Sequence, residues 1–207
     1  MPETKDWYEW HRPYEDESSP LSQRLRLVQQ HIAAFLDRRS DPVLHVVSAC
    51  AGQGRDLLGV LRDRPDAARV RGRLIEFDPR NAAVARANAP AGITVVEADA
   101  GDLGAYAGAV PADLVLFVGV FGNIPDDEIR ASVAALPQLC APGATVIWTR
   151  TREAPDLTPA VRGWFAEAGF VEEAFEAPDG VRFSVGVHRL AGTPRPLGTG
   201  RLFTFVR

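Results

Sequence analysis

Residues 43–56 read Val43-Leu44-His45-Val46-Val47-Ser48-Ala49-Cys50-Ala51-Gly52-Gln53-Gly54-Arg55-Asp56. The apolar run over 43–47 is a short buried-strand signal. It leads straight into a loop with two glycines, and residues 55–64 then carry a helical pattern. A glycine has no Cβ, so the backbone there can approach a ligand closely. The helix that follows presents unpaired amides and partial positive charge at its N-terminus. Two phosphate-cradling readings of such a loop fail. No Gly-Lys-Ser/Thr is present for a nucleoside triphosphate, and Leu57 stands where the dinucleotide spacing needs its third glycine.

Downstream, strands alternate with helices. The sequence predicts strands over 73–77, 93–97, 113–118 and 144–149, and helices over 79–89, 125–139 and 158–168. Each parallel crossover needs a covering helix, so this alternation predicts a mainly parallel α/β sheet. After Gly169 the alternation stops. Residues 170–175, 181–190 and 201–206 read as successive strands, the last two pairing as an antiparallel hairpin across the Gly/Pro-rich stretch 191–200.

Upstream, Ser19-Pro20 starts a helix, with serine set to cap and proline suited to the first turn. Leu21, Leu25, Val28, Ile32, Phe35 and Leu36 form one apolar stripe on that helix, which ends near Arg39. Residues 6–18, with Trp7, Tyr8, Trp10, His11 and Tyr14, have no usable period and read as an irregular arm. The division is therefore an N-terminal arm and lid helix over 1–40 and one domain over 41–207.

Composition narrows the function. The chain has 207 residues and a formal net charge of −4, against the clustered positive charge that nucleic acid demands. No apolar run reaches the roughly 18 residues of a membrane helix, and the N-terminus shows no secretory pattern, so a cytoplasmic setting is expected. Cys50 and Cys140 are the only cysteines, and neither has a partner at metal-ligand spacing, so no metal is assigned. Lys5 is the only lysine among 23 basic residues, which reads as a compositional habit. Oligomeric state is open.

The loop at Ser48-Ala49-Cys50-Ala51-Gly52-Gln53-Gly54 resembles the first motif of class I S-adenosylmethionine-dependent methyltransferases, a strand ending in acid-x-Gly-x-Gly-x-Gly. Ser48 takes the place of the acid and Cys50 that of the first glycine, while Gly52 and Gly54 match. Glu76 ends the second strand about 20 residues past the loop, where a carboxylate can accept from both ribose hydroxyls. The run Ile75-Glu76-Phe77-Asp78-Pro79 is similar to the family's second motif. The resemblance implies Glu76 as ribose ligand, Phe77 against adenine and Asp78 adjacent; before Pro79, Asp78 suits a helix cap equally well. Asp99-Ala100 resembles the family's adenine-edge segment, and the resemblance implies that Gly119, at the end of the fourth strand, opens the mouth of the methyl-transfer pocket.

The resemblance implies a Rossmann-like, doubly wound, mainly parallel seven-stranded sheet with a C-terminal antiparallel hairpin and an N-terminal helical lid. It implies S-adenosylmethionine as cofactor, held by Ser48, Cys50, Ala51, Gly52, Gly54, Glu76, Phe77, Asp78, Asp99, Ala100 and Gly119. His11 and Tyr14 are the candidates for acid/base or orienting work, against simple packing of the arm. Asn123 and Arg150 are candidates for holding the acceptor, and Arg24 either meets the cofactor carboxylate or lies on a solvated helix face. About 40 residues before the core suffice for a lid but not a recognition domain, so the expected acceptor is a small molecule. The alternatives are a degenerate cofactor-binding protein without turnover and a nicotinamide-dependent oxidoreductase.

Overall fold

The structure, a computed structural model, describes residues 5–205. Its centre is a seven-stranded sheet built of β1 (Leu44–Ala49), β2 (Val70–Glu76), β3 (Ile93–Glu97), β4 (Ala112–Phe117), β5 (Cys140–Thr151), β6 (Phe170–Glu176) and β7 (Phe183–Leu190), in the order β3-β2-β1-β4-β5-β7-β6. The first five strands are parallel, and β7 runs antiparallel to both β5 and β6.

Helices cover both faces. On one side lie α1 (Pro20–Asp37), α2 (Arg55–Leu61) and α3 (Pro79–Asn88), where Val28, Ile32, Phe35 and Leu36 of the predicted stripe pack with Leu57, Leu61 and Leu74. On the other lie α4 (Asp126–Ala135) and α5 (Thr158–Glu167), burying Ile129, Val133, Val161 and Phe165 with Phe117 and Trp148. Burial on both faces explains the nearly unbroken apolar β1 and β4, which a one-sided sheet would alternate.

The α1 start is as the sequence predicts: Ser19 Oγ accepts from the Ser22 amide at 3.1 Å, and Pro20 occupies the first turn. The helix expected over 125–139 stops at Ala135 and tightens into a 3-10 turn over Leu136–Gln138, because Pro137 has no amide to continue the ladder. The arm is ordered rather than irregular, a 3-10 helix over Glu9–Glu15.

The hairpin expected between 181–190 and 201–206 does not form. Both hydrogen-bonding edges of β7 are taken, one by β5 and the other by β6, so no edge remains for a further strand. The hairpin is β6–β7. The tail leaves the sheet past Pro137 and Gln138 and makes only an isolated bridge, Asp102 to Arg201, with Leu202 and Phe203 buried on the core; residue 206 lies outside the described residues.

Candidate functional site

The chain turns back across the sheet between β1 and β4: β2 and β3 follow on one side of β1, β4 and β5 on the other. At such a reversal the loops leaving neighbouring strands diverge and open a crevice at their carboxyl ends. A cavity of about 290 Å³ sits there, floored by Cys50, Ala51, Gly52, Glu76, Asp99 and Gly119 and roofed by Trp7, Trp10, His11 and Tyr14 of the arm.

The glycine loop is shaped by positive φ at Cys50 (50°), Gly52 (56°) and Gly54 (73°). Left-handed backbone is cheap for glycine and costs a residue with a Cβ about 1–2 kcal/mol, so Cys50 is held by its surroundings. Ala51 N donates to the Ile75 carbonyl at 2.9 Å, pinning the loop to β2. Gly54 caps α2 and wedges against Leu58 and Leu74, where an added Cβ would lie 2.7 and 2.9 Å from their methyl groups.

Glu76 joins the two loops. Its Oε2 accepts from Gly52 N at 2.7 Å and its Oε1 from Asp78 N at 2.7 Å. Burial pushes its pKa up, and the two amides work against that shift. A carboxylate accepts about four hydrogen bonds, so these amides leave capacity for a vicinal diol in the cavity. Asp78 serves both of its readings: it caps α3 by accepting from Arg80 N at 2.9 Å, and it lines the cavity. Phe77 is 53% exposed and lies on the wall beside it. Asp99 accepts from Gly101 N at 2.9 Å and from Arg201 Nη2 at 3.0 Å, next to Ala100.

Of the arm candidates, His11 Nδ1 lies 2.7 Å from the Trp7 carbonyl. A carbonyl only accepts, so Nδ1 carries the hydrogen in the neutral ring and Nε2, at Gly52, is the bare nitrogen. Burial lowers the His11 pKa and favours that neutral form, the bond to Trp7 opposing it. Tyr14 Oη accepts from Arg24 Nη2 at 2.9 Å, and burial raises its pKa. Arg24 lines the cavity, so the solvated-face reading of it does not hold.

Asn123 lines the mouth, donating from Nδ2 to the Gly119 carbonyl at 2.7 Å. Three predicted residues stand elsewhere. Ser48 is buried inside the sheet between Leu74 and Leu116, and Gly54 is spent on packing. Arg150 is not on the cavity wall; it grips the Phe121 carbonyl and Asp126, at 2.8 Å, and so braces the β4–α4 loop from behind.

Residues without a predicted role also line the cavity, among them Asp56, Trp7, Trp10, Asn81, Phe205 and Lys5. Burial pushes the Asp56 carboxyl up to about 6, partly offset by the Arg24 guanidinium. An acid in the first turn after a glycine loop was its available signal. Asn81 is fully buried within α3 and bonds the Trp7 carbonyl at 3.3 Å, tying the arm down. Lys5, set aside on composition, rests 4.3 Å from the Trp7 ring centre and 5.4 Å from that of Trp10. Among the described residues, no group of three or more His, Cys, Asp or Glu is placed to hold a metal, and no helix is long and apolar enough to cross a membrane.

No protein-family model matches the sequence, and no curated protein does. Solved structures match in fold. A magnesium protoporphyrin IX methyltransferase from Synechocystis, with bound S-adenosylmethionine, aligns over 91% of this chain and 99% of its own at 15% identity and TM-score 0.64. The N-methyltransferase NodS from Bradyrhizobium japonicum, in complex with S-adenosylhomocysteine, aligns over 91% and 100% at 15% identity and TM-score 0.65. A Burkholderia thailandensis 1,6-didemethyltoxoflavin-N1-methyltransferase aligns over 90% and 84% at 16% identity and TM-score 0.66. Against an O-methyltransferase family protein of the same species the chain spans 57% of the other's length, at TM-score 0.60 and 18% identity. The chain thus has the fold of the class I S-adenosylmethionine-dependent methyltransferases.

Proposed function

We propose that this protein binds S-adenosylmethionine in the cavity at the ends of β1, β2 and β3 and transfers its methyl group to a small-molecule acceptor. The observation that carries the reading is Glu76, a buried carboxylate clasped by the amides of Gly52 and Asp78 at the sheet reversal, with acceptor capacity left toward the cavity. The donor set fits the cofactor part by part. Glu76 suits the ribose diol, and Asp99 and Phe77 suit the adenine edge and face. Arg24 suits the amino-acid carboxylate, and the glycine loop brings bare backbone against the chain between.

When bound, S-adenosylmethionine supplies a sulfonium methyl carbon already activated for in-line displacement. The protein's part is therefore alignment and exclusion of water. Trp7, Trp10, Tyr14 and Phe205 close the cavity with aromatic surface, and Asn123, whose Nδ2 is bound to the Gly119 carbonyl, lines it with its amide oxygen not used in that bond. Where an acceptor must lose a proton, neutral His11 with its bare Nε2 is the group able to receive it. A small acceptor fits the size of the cavity.

Titration calorimetry with S-adenosylmethionine and S-adenosylhomocysteine tests the reading: both are expected to bind at one site. Absence of binding overturns it. Binding without methyl transfer across a panel of small nucleophiles would instead make the chain a cofactor-binding protein without turnover, the reading that Ser48 and Cys50 raise.

A further inference from the structure

The described end of the chain takes an unusual course. After Gly200 it crosses the carboxyl ends of β3 and β4 instead of joining the sheet. Leu103 N donates to the Gly200 carbonyl at 3.0 Å and Leu202 N to the Gly101 carbonyl at 2.7 Å. Ser132 Oγ of α4 donates to the Leu202 carbonyl at 2.8 Å, and Glu128 accepts from Thr204 N. Phe203 stands edge-on to Phe117 at 5.7 Å, and Phe205 meets Trp7 of the arm at 5.1 Å. A Cβ on Gly101 would strike the Phe203 carbonyl, so the tail lies flush on the loop that carries Asp99.

We propose that this tail is a working wall of the cofactor site, and that Arg201 is a positioning residue which holds Asp99 toward the exocyclic amine of adenine. The inference rests on the functional reading above. Arg201 Nη2 reaches Asp99 Oδ2 at 3.0 Å and the tail's own Phe203 carbonyl at 3.2 Å, while Gly101 N holds Asp99 Oδ1 at 2.9 Å. Both bonds orient the carboxylate on the cavity wall. An ionised carboxylate is acceptor-only, so a fixed one selects a ligand that donates there and penalises one that does not. Without Arg201 the side chain loses its bond to the tail, and with it one of the contacts that orient Oδ2. The same tail delivers Phe205 to Trp7, so the two ends of the described chain meet over the site.

The test compares binding of S-adenosylhomocysteine with that of its analogue lacking the 6-amino group on the purine, by calorimetry on the full chain. The native protein is expected to prefer the amine-bearing ligand by about tenfold or more, the scale of a hydrogen bond to a charged group. Arg201→Ala is expected to cut that preference to about twofold by weakening the amine-bearing ligand, with the analogue nearly unchanged. The Arg201 side chain is 49% exposed, so the variant folds; a thermal melt run alongside checks this. Ser132→Ala loosens the tail without touching Asp99 and is expected to lower the melting temperature while keeping the preference. An unchanged preference in Arg201→Ala, or one lost equally in Ser132→Ala, would reduce the tail to packing and overturn the inference. A native protein that binds both ligands alike overturns it as well, leaving the functional reading intact. No binding of either ligand overturns both.

Discussion

His11 Nε2 stands where a Cβ on Gly52 would have to be, so the arm touches the glycine loop through a gap that only glycine leaves. The arm is therefore seated on backbone. It is held there by the Asn81 amide on the Trp7 carbonyl and by the Asp6–Arg80 pair at 2.7 Å.

That contact can be taken apart with two substitutions. Gly52→Ala adds a clash with His11 to the strain of a residue at φ 56°, and is expected to cost about 2–4 kcal/mol in urea unfolding. His11→Ala in the same chain removes the clash but not the strain, so the double variant should recover part of the loss. Strict additivity of the two changes would show that the arm does not sit on the loop.

Glu76→Gln keeps size and shape but replaces one acceptor oxygen by a donor, which then faces a backbone amide at Gly52 or Asp78. The expected loss of stability is about 1–3 kcal/mol, with S-adenosylhomocysteine affinity down about ten- to a hundredfold. Calorimetry and melts on the same preparation measure both. Unaltered affinity would remove Glu76 from the site.

Two buried groups make opposed contributions to stability against pH. His188 is 1% exposed, stacked on Phe165 at 4.4 Å and bonded through Nδ1 to Trp148 Nε1; burial pushes its pKa down to about 4. A base with a lowered folded pKa stabilises fully above its unfolded value near 6.5 and loses that contribution as pH falls to about 4. Asp56, an acid raised to about 6, does the reverse, its carboxylate costing stability as pH rises from 3.8 to about 6. Each is worth about 3 kcal/mol at most, so these two contributions should nearly cancel from pH 4 to 6.5. Asp56→Asn leaves His188 alone and should make stability fall steeply with acid over that range. Urea melts across the range check it, and parallel curves for the two proteins would refute the opposition.

Gly186 on β7 faces the indole of Trp148, which is fully buried and stacked on Phe165 at 5.7 Å. A Cβ there would overlap the indole, and the ring has no free side to move to. Gly186→Ala is expected to lose about 2–3 kcal/mol in thermal or urea unfolding, while Gly163→Ala, with open space around its Cβ, should be neutral or stabilising.

Some of this was legible without coordinates. The β1 strand, the glycine loop and Glu76 could be read because each depends on near neighbours in the chain: apolar runs, small residues before a helix, an acid closing the next strand. The same holds for Asp78 beside Pro79 and for Ser19-Pro20, where the cap is a local bond. What lay beyond reading depends on which distant segments meet. The stretch 201–206 has a strand's composition, yet strand formation needs an open edge, and β5 and β6 had taken both edges of β7. Arg150 ends a strand like a site residue, but the β4–α4 loop folds back over it and takes its donors. Asp56, Asn81 and Lys5 carry no signal strong enough alone: the first two line the cavity because the arm lies over them, and Lys5 comes there with the arm, against Trp7 and Trp10. Local chemistry determined where a ligand could be held; tertiary packing decided which side chains face it, because a side chain's partners are settled by long-range contacts that no local spacing encodes.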